Sequence, residues 1–382
     1  MNIRYKNYVK LFFTILILFN SINTPILNAQ GFEGYYQYPD IHENTIVFTS
    51  EGDIWKVSVK GGLAQRLTTH PEEERYANIS PDGKFLAYSA SYEGPTEIYT
   101  MPINGGITTR WTYESESSSV TNWSPDNKII YQTQSYNKLP DEQLVTIDLQ
   151  TKVKSVVPLY QASEGTQNEK GEWIFIRPAD HGDAAKRYVG GTARQIWKFD
   201  GKNEAVKLTN NYDGESHKPM WYNGRVFFIS DRDGIMNIWS MDSNGNDLEQ
   251  HTKHDEYDVR YANVHNGKIV YQHAADIWLL DISTGNYNRV NISLASDLDQ
   301  LREKWDENPS RYITSVSSDP NGNKIVVTAR GRVFIVPVKT GRTISFTEKK
   351  GVRYRDAIFS HDGKEIITLS DESGEFEFIK LS

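Results

Sequence analysis

The chain has 382 residues, no cysteine and a formal net charge of −8. The lack of cysteine excludes disulfides, thiolate metal sites and a Cys nucleophile, and the negative balance argues against nucleic acid, whose phosphates need clustered cations. An apolar fraction of 38% with 12% aromatics is enough to build cores, so the length points to two or more folded domains rather than disorder.

Residues 1–29 read as a secretory signal peptide. Arg4, Lys6 and Lys10 form a positive start, 11–19 (LFFTILILF) a short apolar run, and Asn28-Ala29 a polar end with a small residue before Gln30. The apolar run is too short for a spanning helix, and an uncleaved anchor is the competing reading. The mature protein is expected to be exported, periplasmic or secreted. Losing those three cations takes its formal charge from −8 to −11.

The first copy of a repeat spans 40–62. Thr45-Ile46-Val47-Phe48-Thr49 reads as one strand and Asp53-Ile54-Trp55-Lys56-Val57 as the next, with Gly61-Gly62 closing the unit. The clearest copy follows. A turn at Ser80-Pro81-Asp82-Gly83-Lys84 leads into Phe85-Leu86-Ala87-Tyr88, then Glu97-Ile98-Tyr99-Thr100-Met101. Pro81 presets its own φ and Gly83 supplies the positive φ of a tight turn. A third copy has Ser124-Pro125-Asp126-Asn127, Ile129-Ile130-Tyr131 and Leu144-Val145-Thr146-Ile147. The fourth has Trp173-Ile174-Phe175-Ile176 and Gln195-Ile196-Trp197, the fifth Val226-Phe227-Phe228-Ile229 and Asn237-Ile238-Trp239, the sixth Ile269-Val270-Tyr271 and Asp276-Ile277-Trp278.

The position after the isoleucine sets the period. Trp55, Tyr99, Val145, Trp197, Trp239 and Trp278 are 44, 46, 52, 42 and 39 residues apart. Short strands at such spacing predict propeller blades of four strands each, with a β-helix or sandwich as the weaker alternatives. The expected fold is all-β: a six-bladed β-propeller of WD40-like or TolB-like repeats over 31–292. A charged linker is expected at 293–310. Two further copies, Ile325-Val326-Val327-Thr328 with Val333-Phe334-Ile335-Val336 and Ile366-Ile367-Thr368-Leu369 with Phe378-Ile379-Lys380-Leu381, occupy 311–382. They read as the first two blades of a second, truncated propeller, or as blades seven and eight of one ring. The 56-residue step from Trp278 to Phe334 favours the former.

Three stretches carry a family resemblance. Lys186-Arg187-Tyr188-Val189-Gly190-Gly191-Thr192-Ala193 resembles the basic-Tyr-x-Gly-Gly-Thr segment of tricorn-type serine peptidases. Ala329-Arg330-Gly331-Arg332-Val333-Phe334 resembles the opening of that family's second propeller, and Leu369-Ser370-Asp371-Glu372-Ser373-Gly374-Glu375 the blade after it. The resemblance implies a six-bladed propeller, then a seven-bladed one, then PDZ and catalytic regions. On that reading the residues given would end within the second propeller, before the nucleophilic Ser and its His. The resemblance therefore implies a non-catalytic N-terminal part of an S41-type peptidase that gates or channels peptides, expected to be inactive alone. Its partners would be peptides and the missing PDZ and catalytic domains, with room for a homo-oligomer. The competing reading is a stand-alone TolB-like propeller that binds a protein partner. A third, weaker one is a propeller enzyme with a channel metal.

Sites of the chain's own are few. Gly214-Glu215-Ser216-His217-Lys218 has Gly and Ser at nucleophile-elbow offset but lacks the second Gly, and it reads as a blade connector. His251 and His254 have ligand-like spacing, yet Lys253-His254-Asp255-Glu256 leading to Arg260-Tyr261-Ala262-Asn263 repeats Thr69-His70-Pro71-Glu72 leading to Arg75-Tyr76-Ala77-Asn78. A repeated connector reads as structural, and no metal or cofactor is expected. The recurring Asp-Ile-Trp aromatics read as core rather than a sugar platform. The segment 177–194 stretches the fourth repeat and contains Asp180, His181, Asp183, Lys186 and Arg187. Long insertions on rigid scaffolds carry function, and a basic pair can hold a peptide carboxylate by charge-assisted hydrogen bonds. Lys186 and Arg187 are the candidate carboxylate anchors, as the resemblance also implies; a solvated loop or an inter-domain contact is the alternative.

Overall fold

The computed structural model describes residues 32–178, 187–298, 305, 308–347 and 349–381. It divides into two units, Met1–Gln300 and Leu301–Ser382, so the boundary falls inside the segment read as a linker.

The described residues of the first unit form six antiparallel sheets, spanning 37–66, 74–110, 118–156, 163–207, 216–250 and 259–289. Each is a meander of four strands taken in chain order. The first strands of the sheets are Gln37–His42, Glu74–Ile79, Ser118–Trp123, Ser163–Gln167, Ser216–Tyr222 and Val259–His265. Each contacts the first strand of the next sheet, and the sixth contacts the first, so the cycle is closed. One expectation is corrected here. Ser293 and Leu294, read as linker, belong to a strand, Ile292–Leu294, that pairs parallel to the outer strand of the first sheet, with Ile292 opposite Gly62. Phe32 bridges Leu294 from the other side. Phe32 and Ile292–Leu294, far apart in the chain, are thus tied to one sheet.

The closed cycle explains why the second strands are apolar runs rather than alternations. Val226, Phe227, Phe228 and Ile229 are all fully buried. Val226 and Phe228 pack on Ile174, Ile176 and Ile196 of the preceding sheet, whereas Phe227 and Ile229 pack on Ile269 and Tyr271 of the following one. The same holds around the ring. Val47 and Ile54 face the second sheet, while Ile46, Phe48 and Trp55 face Val270 and Ile277 of the sixth. A strand between two neighbours has no wet face, so both of its side-chain sets must be apolar. Burying one such large side chain contributes roughly 1.5–3 kcal/mol.

A second repeated device ties the outer strands. The Ile54 N–H donates to Thr68 Oγ1 at 2.8 Å, Ile98 N–H to Thr112 Oγ1 at 2.8 Å, Ile196 N–H to Thr209 Oγ1 at 3.2 Å and Ile238 N–H to Thr252 Oγ1 at 2.9 Å. The hydroxyls pass their own protons on, Thr209 to Gln195 Oε1 at 2.6 Å and Thr252 to Asn237 Oδ1 at 2.8 Å. These amides would otherwise be buried without a partner. The Ser-Pro-Asp turns are closed in the same spirit: Ser80 Oγ donates to Asp82 Oδ1 at 2.7 Å and accepts from the Phe85 N–H at 3.0 Å. Gly83 has φ 69°, and a Cβ there would stand 2.7 Å from the His42 ring.

The second unit begins with one turn of 3-10 helix, Pro309–Tyr312, followed by a four-stranded sheet over 313–345 and a three-stranded sheet over 354–381. Val326, Val333, Tyr354, Ala357 and Ile366 form its core. The threonine device recurs, with the Val333 N–H donating to Thr347 Oγ1 at 3.0 Å.

Thr252→Val is expected to leave the Ile238 amide unpaired, at a cost of about 1–3 kcal/mol. Thr69→Val, at an exposed neighbour of Thr68, should stay within about 0.5 kcal/mol of the parent. Urea unfolding midpoints at constant slope check both.

Candidate functional site

Every first strand carries a bulge. Its register slips by one residue between Gln37 and Asp40, Arg75 and Asn78, Ser163 and Thr166, His217 and Met220, and Val259 and Tyr261, and the third sheet gains Thr121 opposite the step from Ile130 to Tyr131. At four of these bulges a residue other than glycine takes a left-handed backbone: Tyr38 at φ 51°, Tyr76 at 55°, Glu164 at 48° and Lys218 at 49°. Such backbone is costly for residues with a Cβ, and bulges re-aim side chains. Here the bulged segments line a cavity on the ring axis of about 530 Å³. Tyr38, Tyr76, Thr121, Glu164, Lys218 and Tyr261 reach it, one from each sheet.

Three of these residues are tyrosines whose rings cluster, with only Tyr76 and Tyr261 near parallel. The rings of Tyr38 and Tyr76 are 4.5 Å apart, Tyr38 and Tyr261 5.5 Å, and Tyr76 and Tyr261 6.0 Å, although the last two sit on sheets that are not neighbours. The Lys218 ammonium lies 3.6 Å from the centre of the Tyr261 ring. Burial pushes the Tyr76 phenol up, out of the range of physiological titration.

The charged lining is mixed. Glu164 Oε2 accepts the Lys218 N–H at 2.6 Å and stands 3.7 Å from His217 Nδ1, an ion-pair distance rather than a hydrogen bond. Burial opposes ionisation of Glu164, but His217, Lys218 and Arg194 together hold its carboxyl well below the usual range. Arg194 Nε donates to Glu215 Oε2 at 2.6 Å. Close by, Asp40 Oδ2 accepts the Ile79 N–H at 2.6 Å. Burial pushes the Asp40 carboxyl up to about 7, against the pull of that hydrogen bond and of Lys218.

The sequence-derived candidates divide. Lys186, with Asp180, His181 and Asp183, lies outside the described residues. Arg187 is exposed at the mouth of the axial cavity, and its Nε donates to the Gly234 carbonyl at 2.8 Å, across to the next sheet. The segment from Gly214 is corrected: Ser216, His217 and Lys218 are not connector but the start of a first strand. Ser216 Oγ pairs with Ser230 Oγ at 3.1 Å, far from any nucleophile arrangement. His251 and His254 turn to different partners, Ser240 Oγ at 2.8 Å and Tyr271 Oη at 3.0 Å. Among the described residues no three His, Asp or Glu side chains are grouped to hold a metal. Of the recurring aromatics, Trp55 is fully buried, and Trp197, Trp239 and Trp278 pack against the cores between sheets. Sequence reasoning missed the axial layer. The signal was present in the recurrence of Arg75-Tyr76-Ala77-Asn78 as Arg260-Tyr261-Ala262-Asn263, whose tyrosines occupy equivalent places on the axis.

Asp40→Asn tests the electrostatics. A carboxyl raised from 3.8 to about 7 stabilises fully at acid pH and loses that contribution as pH climbs to about 7. Relative to the parent, Asp40→Asn should gain roughly 2–4 kcal/mol between about pH 4 and pH 8. Urea unfolding at both pH values reads the difference, and parallel profiles would show that Asp40 does not titrate as stated.

With this geometry in view, comparisons with known proteins are informative. The family described as the tricorn protease N-terminal beta propeller domain matches residues 33–286. A tricorn protease homolog of Saccharolobus solfataricus is 29% identical over 358 residues, covering 89% of this chain and 32% of that protein. Tricorn protease homolog 1 of Streptomyces coelicolor is 28% identical over 350 residues, again covering 89% of this chain and 32% of the relative. The crystal structure of the tricorn protease aligns at a TM-score of 0.73 and 21% identity over 92% of this chain and 36% of that one, a likeness of fold. The chain spans about a third of the length of the curated relatives it matches.

Proposed function

The chain belongs to the tricorn protease N-terminal β-propeller family, and from that premise we propose that it handles peptides for a serine peptidase region lying outside the residues described, admitting or guiding them along the ring axis. The observation that carries this reading is the axial cavity, lined by residues from all six sheets, within the segment that the family matches. A ring of sheets is rigid because each is packed on both faces, so such a site is held in place without help from a ligand. Chemistry of the chain's own has no support among the described residues: Ser216 is paired with Ser230 inside a sheet.

Arg187 fits the role of a carboxylate anchor at the entrance. Its Nε is taken by the Gly234 carbonyl, which holds the guanidinium plane at the mouth. The basic neighbour Lys186 would share the task. The N-terminal segment 1–29 supports export, so the peptides would be those met outside the cytoplasm. The partners would be the protease regions or subunits that complete the relatives.

The full chain should bind short unstructured peptides and hydrolyse none. Fluorescence anisotropy with labelled peptides reads the first, and product analysis the second. Arg187→Ala, at an exposed site, should weaken peptide binding about threefold to fivefold with little change in melting temperature. Hydrolysis that survives repurification, or no binding of any peptide, would overturn the reading.

A further inference from the structure

Below the mouth, the axial cavity contains a buried cation that no carboxylate among the described residues contacts directly, although Glu164 and Asp40 feel its charge from beyond ion-pair distance. Lys218 is 8% exposed. Among the described residues its ammonium donates no hydrogen bond and has no carboxylate oxygen within 4.0 Å; its close partner is the face of Tyr261. Its own backbone is held in the left-handed region, which directs it to the axis. A buried ammonium is normally paired, because desolvating it unpaired is expensive. A π face returns only part of that cost.

Three more polar atoms on the same cavity wall are unsatisfied. Ser163 Oγ, His217 Nδ1 and Tyr261 Oη are buried and have no hydrogen-bond partner. Their residues are 1%, 5% and 4% exposed and, with Lys218, belong to three consecutive sheets. Buried polar groups are almost always paired in folded proteins, so four open ones in one place ask for a ligand. The nearby acid does not answer the need: Glu164 Oε2 already accepts the Lys218 backbone N–H and lies 3.7 Å from His217 Nδ1, beyond hydrogen-bond distance.

We propose that a peptide carboxylate seats on the Lys218 ammonium inside the axial cavity, with Ser163, His217 and Tyr261 as its hydrogen-bonding surround. The peptide part of this statement rests on the proposed function; the anion part rests on the buried ammonium that has no hydrogen-bond acceptor among the described residues. Lys218 is the third residue of its strand, roughly 7 Å in from the strand's first residue. A carboxylate therefore arrives there at the end of a chain or of a long side chain. The volume of about 530 Å³ accommodates a few residues. Lys218 is a second anchor, inside the ring, distinct from Arg187 at the entrance.

Titration calorimetry on the full chain tests this with three probes: N-acetyl-trialanine as the free acid, the same peptide as its amide, and N-acetyl-Ala-Glu-Ala-amide. The free acid should bind at least about tenfold more tightly than the amide. Lys218→Met should abolish that preference and leave the amide unchanged, with a melting curve as cooperative as the parent's. Tyr261→Phe keeps the ring under Lys218 and should weaken the acid about threefold while sparing the amide. Tight binding of the glutamate peptide instead of the free acid would assign the carboxylate to a side chain. A preference retained in Lys218→Met, or a lower melting temperature there with unchanged acid affinity, would overturn the proposal and make Lys218 a structural prop while the peptide reading survives. If no peptide binds but acetate does, and only when Lys218 is present, the anion site stands and the peptide reading falls.

Discussion

The structure of the first unit depends on one constraint: each sheet is buried on both faces by its neighbours. Val226 and Phe228 serve one interface while Phe227 and Ile229 serve the next, and the pattern continues until Phe48 and Trp55 meet Val270 and Ile277. No sheet can be stable alone under that arrangement, because each would expose an apolar face. The strand Ile292–Leu294, laid beside Gly62–Arg66, holds the two ends of the cycle together. The threonine hydroxyls at 68, 112, 209 and 252 then settle the amides that packing would leave unpaired.

A rigid ring leaves its first strands pointing along a shared axis, and there the structure departs from regularity. Bulges at each first strand place residues such as Tyr76, Glu164 and Lys218 in left-handed backbone. Regular strands would send these side chains into the cores between sheets. The bulges turn them to the axis instead, where they assemble a polar and aromatic layer that no single sheet contains. Strain and unpaired polar groups occur at the same level, which is where a binding site is expected to store them.

Arg187 and Lys218 place positive charge at two depths of one cavity, in a chain whose overall charge is negative. The acids around them are largely engaged: Glu215 with Arg194, Glu164 with the Lys218 amide, Asp231 with the Tyr212 hydroxyl. Local pairing rather than net charge therefore decides which sign of ligand the axis accepts. The second unit follows the same strand grammar, down to the Val333 to Thr347 hydrogen bond, over a smaller core.

By itself, the sequence determined the all-β class, the repeat period and the placement of Ile46-Val47-Phe48 or Val226-Phe227-Phe228 as strands, because apolar runs and turn residues are local signals. It also marked the insertion that brings Arg187 to the mouth. It misassigned Ser293 and Leu294 to a linker, since a strand of three residues is legible only through its distant partner, Gly62–Arg66. It placed His217 and Lys218 in a connector, because a bulge leaves no mark on hydrophobic periodicity. The axial layer was decided by tertiary structure alone. Tyr38, Tyr76, Glu164, Lys218 and Tyr261 are separated by up to more than two hundred residues, and only closing the ring brings their side chains into one cavity.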